Sequence, residues 1–178
     1  MLFHVSNNTS EIIEVFTPRV PMRNSRMEGE NNFIPRICMA KTIEDCLSAI
    51  PEGGYKLEDV AGVFRVYVFD QKEIVKENIL SPVDLFFSSW VLDAWVTGEH
   101  WVVEESIKPK QAFDIEIDSY DVVAAPYIRP ETFKQAFDQQ TNPDSILKRL
   151  ESQATETVGR VTNLKYKIKE IIDSKSLK

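Results

Sequence analysis

The chain has 178 residues, 43% of them hydrophobic and 28% charged, with a formal net charge of −7 and an isoelectric point near 5.0. That is enough chain for one core of ordinary size, and the composition excludes a disordered polymer. The acidic balance disfavours general binding of nucleic acid or anionic membranes, both of which call for a basic field.

No run approaches the roughly eighteen apolar residues of a membrane helix. The first ten residues, MLFHVSNNTS, lack the basic start and apolar run of a signal peptide, so a cytoplasmic protein is expected. Cys38 and Cys46, with His4 and His100 as the histidines, supply neither a disulfide framework nor a metal cluster. Reduced, buried thiols and no bound metal are the expectation.

The run MLFHV predicts a first strand tied into a sheet, and EIIEVF, Glu11 to Phe16, reads as a second. A long irregular loop follows, TPRVPMRNSRMEGENN, of the kind that carries function. FIPRICMA, Phe33 to Ala40, reads as a buried strand. Thr42 then caps a helix in which Ile43, Cys46, Leu47 and Ile50 share one face, until Pro51 and the Gly53–Gly54 pair stop it. Val63 to Phe69, VFRVYVF, has the branched and aromatic content of a central strand. The aromatics Phe86, Phe87, Trp90 and Trp95 call for burial.

The stretch WVTGEHWVVEESIKPKQAFDIEID, Trp95 to Asp118, predicts a turn at Gly98, a short strand at Trp101–Val103, and a second strand. In that second strand Phe113, Ile115 and Ile117 oppose Asp114, Glu116 and Asp118. DVVAAPY, from Asp121, reads as a further short strand. From Pro130 a short helix and then a long one from Pro143 are expected. In the long one, Leu147, Leu150, Ala154, Thr157, Val161, Leu164, Ile168 and Ile171 follow a 3–4 alternation. That stripe offers either a face packed on the rest of the chain or a homodimer seam through the C-terminal helix. The expected class is therefore α+β: a mixed, split β core over residues 1–129 with a helical extension over residues 130–178.

Three pieces, LFHVS, RICMAKTIEDCLSAI and TGEHWVVEESIKPKQAFDIEI, lie in the order of the motifs of the ADP-ribosyltransferase-like superfamily, and together the chain resembles that family, which includes poly(ADP-ribose) polymerases and bacterial and phage members. His4 and Ser6 match the early strand motif, with Val5 where the family has glycine. RICMA matches the shape of the middle strand, with Cys38 where tyrosine stands. EHWVV, from Glu99, follows the late strand motif with a slipped register.

The resemblance implies NAD as substrate and a macromolecular, chiefly protein, target. Nicotinamide loss leaves an oxocarbenium-like ribose, which a carboxylate on the ribose hydroxyl stabilises. Glu99 would be that carboxylate, with Glu104 or Glu105 in its place if the register slips. His4 would hold the adenosine ribose with Ser6 beside it, and Cys38 would stand at the nicotinamide position. Arg19, Arg23, Arg26 and Arg36 would meet the pyrophosphate. The departures at Val5 and Cys38 favour a second reading, a non-catalytic module that binds a nucleotide or a partner protein.

Overall fold

The computed structural model describes residues 1–23, 29–50, 53–59, 62–129, 131–132, 148, 150–152, 154 and 156–172. Seven strands form two sheets among these residues. The first sheet has the order β1 (Leu2–Ser6), β3 (Val63–Phe69), β6 (Gln111–Tyr127), β7 (Glu156–Ile172), every neighbour antiparallel. The second has the order β2 (Ile37–Met39), β5 (His100–Val102), β4 (Ile79–Leu80), also antiparallel. The helices are short: α1 (Ile43–Ser48), α2 (Pro82–Phe87) and α3 (Ala94–Thr97).

Period-2 side-chain alternation assigns each strand's residues to a layer. On β3, Phe64 and Val66 face α1 and a 3₁₀ segment at residues 53–59, meeting Ile43, Leu47, Leu57, Ile115 and Val161. On its other face Tyr67 and Phe69 meet Leu2 and Ala112 of the same sheet and Ile37, Met39 and Val102 of the second sheet. The far side of the second sheet, through Cys38, Leu80 and Trp101, packs on Leu85 of α2 and Ala94 of α3. The order of layers is thus helix, sheet, sheet, helix, with a mutual backbone bridge between Phe3 and Ala40 joining the sheets at one corner.

Several expected elements are present. β1 and β3 lie where the apolar runs place them, with β3 inside its sheet. Thr42 caps α1, its hydroxyl accepting from Asp45 N at 3.0 Å. Phe113, Ile115 and Ile117 do share one face of β6, away from Asp114.

The helical C-terminal extension is not what the chain forms. Strand accounts for 41% of the structure and helix for 24%, so the molecule is mostly β. Thr157, Val161, Leu164, Ile168 and Ile171 of the expected seam lie on β7, a 17-residue strand. Among the described residues between β6 and β7, helix is found at residues 131–132, 148 and 150–152, and Leu147 lies outside the described residues. The α+β class of the transferase type falls with it, as does a homodimer through a C-terminal helix.

The physical reason is that LKYKIK, Leu164 to Lys169, alternates apolar and basic residues with period two, the pattern of a half-buried strand. β6 supplies a partner of equal length, and its pairing with β7 runs from Ala112–Ile172 to Tyr127–Glu156 through three register shifts. The two short strands expected on either side of Ser119 are one continuous strand. EIIEVF is irregular apart from a bridge between Phe16 and Ile107, and β2 is only the last part of the run from Phe33, which is itself exposed.

A buried ion pair ties the first sheet to the segment after β1. Arg65 and Asp114, paired across β3 and β6, make two bonds, Nε to Oδ1 at 2.7 Å and Nη2 to Oδ2 at 2.9 Å, while Nη1 donates to the Glu11 carbonyl at 2.9 Å. Removing one member strands a buried charge. Asp114→Ala is therefore expected to lower unfolding free energy by about 3–5 kcal/mol in a denaturant titration. A loss below about 1 kcal/mol would refute the buried-pair account, because it would match an exposed bridge.

Candidate functional site

The second sheet brings Arg36, Cys38 and Glu99 together. β2 and β5 pair with Cys38 opposite Trp101, so Cys38, Arg36 two residues before it, Trp101, and Glu99 two residues before that all project to the helix-covered face. Gly98 sets the entry to β5. It ends α3 in the left-handed region at φ +70°, its N–H donating to Ala94 O at 2.8 Å. A Cβ there would lie 2.9 Å from Asp45 Cγ, so the conformation calls for glycine and any side chain would also have to displace the Asp45 carboxylate.

Trp101 is wholly buried and anchors the group. Its Nε1–H donates to Glu99 Oε1 at 2.7 Å. Its ring lies 3.9 Å from Arg36 Cζ, a cation–π contact, and stacks against Trp90 at 6.2 Å with 7° between planes. Arg36, 2% exposed, donates to Glu30 and, at 3.0 Å, to the Ile34 carbonyl, while its Nε makes no hydrogen bond.

The carboxyl groups here are poor anions. Burial, then the charge of Glu30, push Glu99 up to about 8. Burial and Glu30 likewise raise Asp93, at the start of α3, to about 6. The Cys38 thiol is driven well up by burial and by Glu99, with Arg36 opposing. At neutral pH Glu99 is largely protonated and Cys38 is a thiol, so neither a carboxylate base nor a thiolate nucleophile is presented.

His4 lies elsewhere. Its ring is on the inter-sheet side, edge-on to Phe16 at 5.0 Å and tilted against Tyr67 at 6.3 Å. Its Nδ1–H donates to the Cys38 carbonyl at 2.8 Å, which fixes the tautomer. Burial lowers its pKa, more than the carbonyl bond raises it, and Arg19 lowers it further. The side chain of Cys38 and that of Glu99 point to the opposite face of β2 and β5, so the body of the second sheet stands between His4 and Glu99.

The remaining expected residues are dispersed. Ser6 closes a local turn, its Oγ accepting from Asn8 N at 3.1 Å. Arg19 is exposed and meets Arg36 through backbone bonds alone, at 3.1 and 3.0 Å. Arg23 is exposed and Arg26 lies outside the described residues. Of the alternative carboxylates, Glu104 is exposed at φ +65°, and Glu105 straps the approach to β4 by accepting from Val75 N and Asn78 Nδ2, each at 3.0 Å. Glu30 and Asp93 were not singled out by sequence. Asp93 sits between apolar residues in SSWVLDAW, and that isolation was the available signal for a buried acid. Glu30, in the loop, carried none.

No family model, curated protein or solved structure matches this chain. Among the described residues no helix is long and apolar enough to cross a membrane.

The raised carboxyls give stability a defined pH dependence. Glu99 ionises near its ordinary 4.5 when unfolded and near 8 when folded, so between those values the unfolded chain releases its proton first and stability falls as pH rises. The contribution is complete below about 4.5 and gone above about 8. Asp93 adds a similar loss from 3.8 to about 6. Between pH 6.5 and 7.5 the expected slope from Glu99 approaches about 1.4 kcal/mol per pH unit. Glu99→Gln should flatten it, measured by urea unfolding across that window, and a slope unchanged in the variant would reject a buried, protonated Glu99.

Proposed function

We propose that the chain is a non-catalytic module that binds another protein, and that it does not consume NAD. The observation that carries this reading is the placement of Glu99 and His4 on opposite faces of the second sheet. Stabilising an oxocarbenium-like ribose requires an ionised carboxylate and a ribose-holding group in one cleft, with reacting atoms about 3 Å from their partners. Glu99 is instead bonded to Trp101 in the interior and held near neutral charge, and His4 spends its Nδ1–H on a backbone carbonyl. Both groups act as structural members of the core.

Protein rather than nucleotide is favoured because the arginines expected to meet a pyrophosphate do not converge. Arg36 is enclosed with Glu30 against Trp101, and Arg19 and Arg23 stand outside in solvent. The longest elements among the described residues, β6 and β7, lie partly at the surface and provide area for a macromolecule.

Calorimetric titration with NAD, followed by chromatographic assay for free nicotinamide, tests the reading. Neither binding heat nor release above the buffer blank is expected. Nicotinamide release that disappears in a folded Glu99→Gln variant would restore the transferase reading and end this one.

A further inference from the structure

β7 is the outer strand of its sheet: one edge pairs with β6 along its whole length, and the other meets no strand among the described residues. Such an edge offers alternate N–H and C=O groups to a further strand, and proteins that do not use it keep it short or cover it. This one runs 17 residues; near its start Val161 N–H is already taken, donating to Ser48 Oγ at 2.8 Å, and Gly159 packs on Tyr55, so the uncovered part lies beyond, at residues 164–171.

Its two faces differ in chemistry. On the α1 side, Tyr166, Ile168 and Ile171 register beside Ile117, Ile115 and Phe113, extending the core cluster outward beyond the helix. They are 37%, 54% and 61% exposed, so this strip of apolar surface is left in water. On the other face stand Lys165, Lys167 and Lys169, and past a register shift Glu170, opposite Asp114. Lys167 reaches inward to Asp118 and Lys169 to Glu116, each at 2.8 Å, with the lysine side chains still 69% and 52% exposed. β7 carries four basic residues against two acidic ones, in a chain whose net charge is −7.

A second copy is a poor occupant. Antiparallel self-pairing that keeps the apolar strip continuous places residues of the same parity opposite one another, so lysine faces lysine along the other side, and like charges directly opposite are destabilising. A segment with apolar residues on one face and carboxylates on the other satisfies both sides of β7 together. We infer that the free edge of β7 over residues 164–171 is the protein-binding surface, and that it takes an extended partner segment alternating apolar and acidic residues, added as a fifth strand.

This rests on the protein-binding reading, but the two fail separately. NAD turnover removes that reading, whereas the tests below, with NAD inert, remove only the β7 surface. The probe is a capped peptide of alternating valine and glutamate, titrated into the ¹⁵N-labelled full chain, with a valine–lysine peptide as control. The expected result is amide shifts concentrated at residues 164–171 with the acidic peptide alone. Paired Lys165→Glu and Lys167→Glu changes should weaken it about tenfold, as two cross-strand charge pairs would, and turn preference toward the lysine peptide.

Ile168→Ser should weaken both pairings without altering charge. Exposed bridges such as that of Lys167 contribute little to folding, so these variants remain folded. Shifts centred away from β7, equal affinity for the two peptides, no binding at millimolar peptide, or a sedimenting dimer that the peptide fails to dissociate would each overturn the inference.

Discussion

The contact of Arg36 with Trp101 governs the interior of this protein. A guanidinium removed from water needs partners, and here the indole face, Glu30 and a carbonyl supply them for all but Nε. The same indole then donates to Glu99 and stacks on Trp90, so one side chain ties β2, β5 and the helix layer into a unit. Arginine suits this position because it is weakly hydrated and stacks flat, properties a lysine ammonium lacks.

That arrangement also explains why residues with the composition of a catalytic site do not make one. Glu99 and the Cys38 thiol lie on the same face as the arginine, but burial raises both, so that near neutral pH they keep their protons. A site that must develop or stabilise charge depends on the opposite, an ionised group with access to a ligand. The pleat completes the separation: with successive side chains alternating across a strand, β2 sends Cys38 to the tryptophan side and its neighbours Ile37 and Met39 toward His4.

Local patterns announced local structure. The Thr42 cap, the branched run of β3 and the face pattern of Phe113 to Asp118 each depend on nearest neighbours and were legible. The C-terminal segment was misread because one set of apolar positions satisfies two periods. Val161, Leu164, Ile168 and Ile171 fit a 3–4 helical spacing, while Leu164, Tyr166 and Ile168 fit a strand, and the presence of β6 as a partner decides between them. Strand propensity is largely a matter of what lies opposite, which a single run of sequence does not display. The site was half legible on the same grounds: Arg36, Cys38 and Glu99 converge through strand pairing, whereas His4, resembling them by motif order, belongs to the other layer.

The separation of β6 from β7 along the chain bears on synthesis. β6 leaves the ribosome as an edge whose apolar face includes Ile115 and Ile117, and the strand that covers that edge emerges only after the whole segment from Tyr127 to Glu156. Closing so long a loop costs entropy before any ladder bond repays it, which makes the pairing slow relative to local structure. During that interval the nascent protein carries an unpaired, partly apolar strand of the kind that aggregates or recruits chaperones. Elongation pauses before residue 156 would lengthen this exposure.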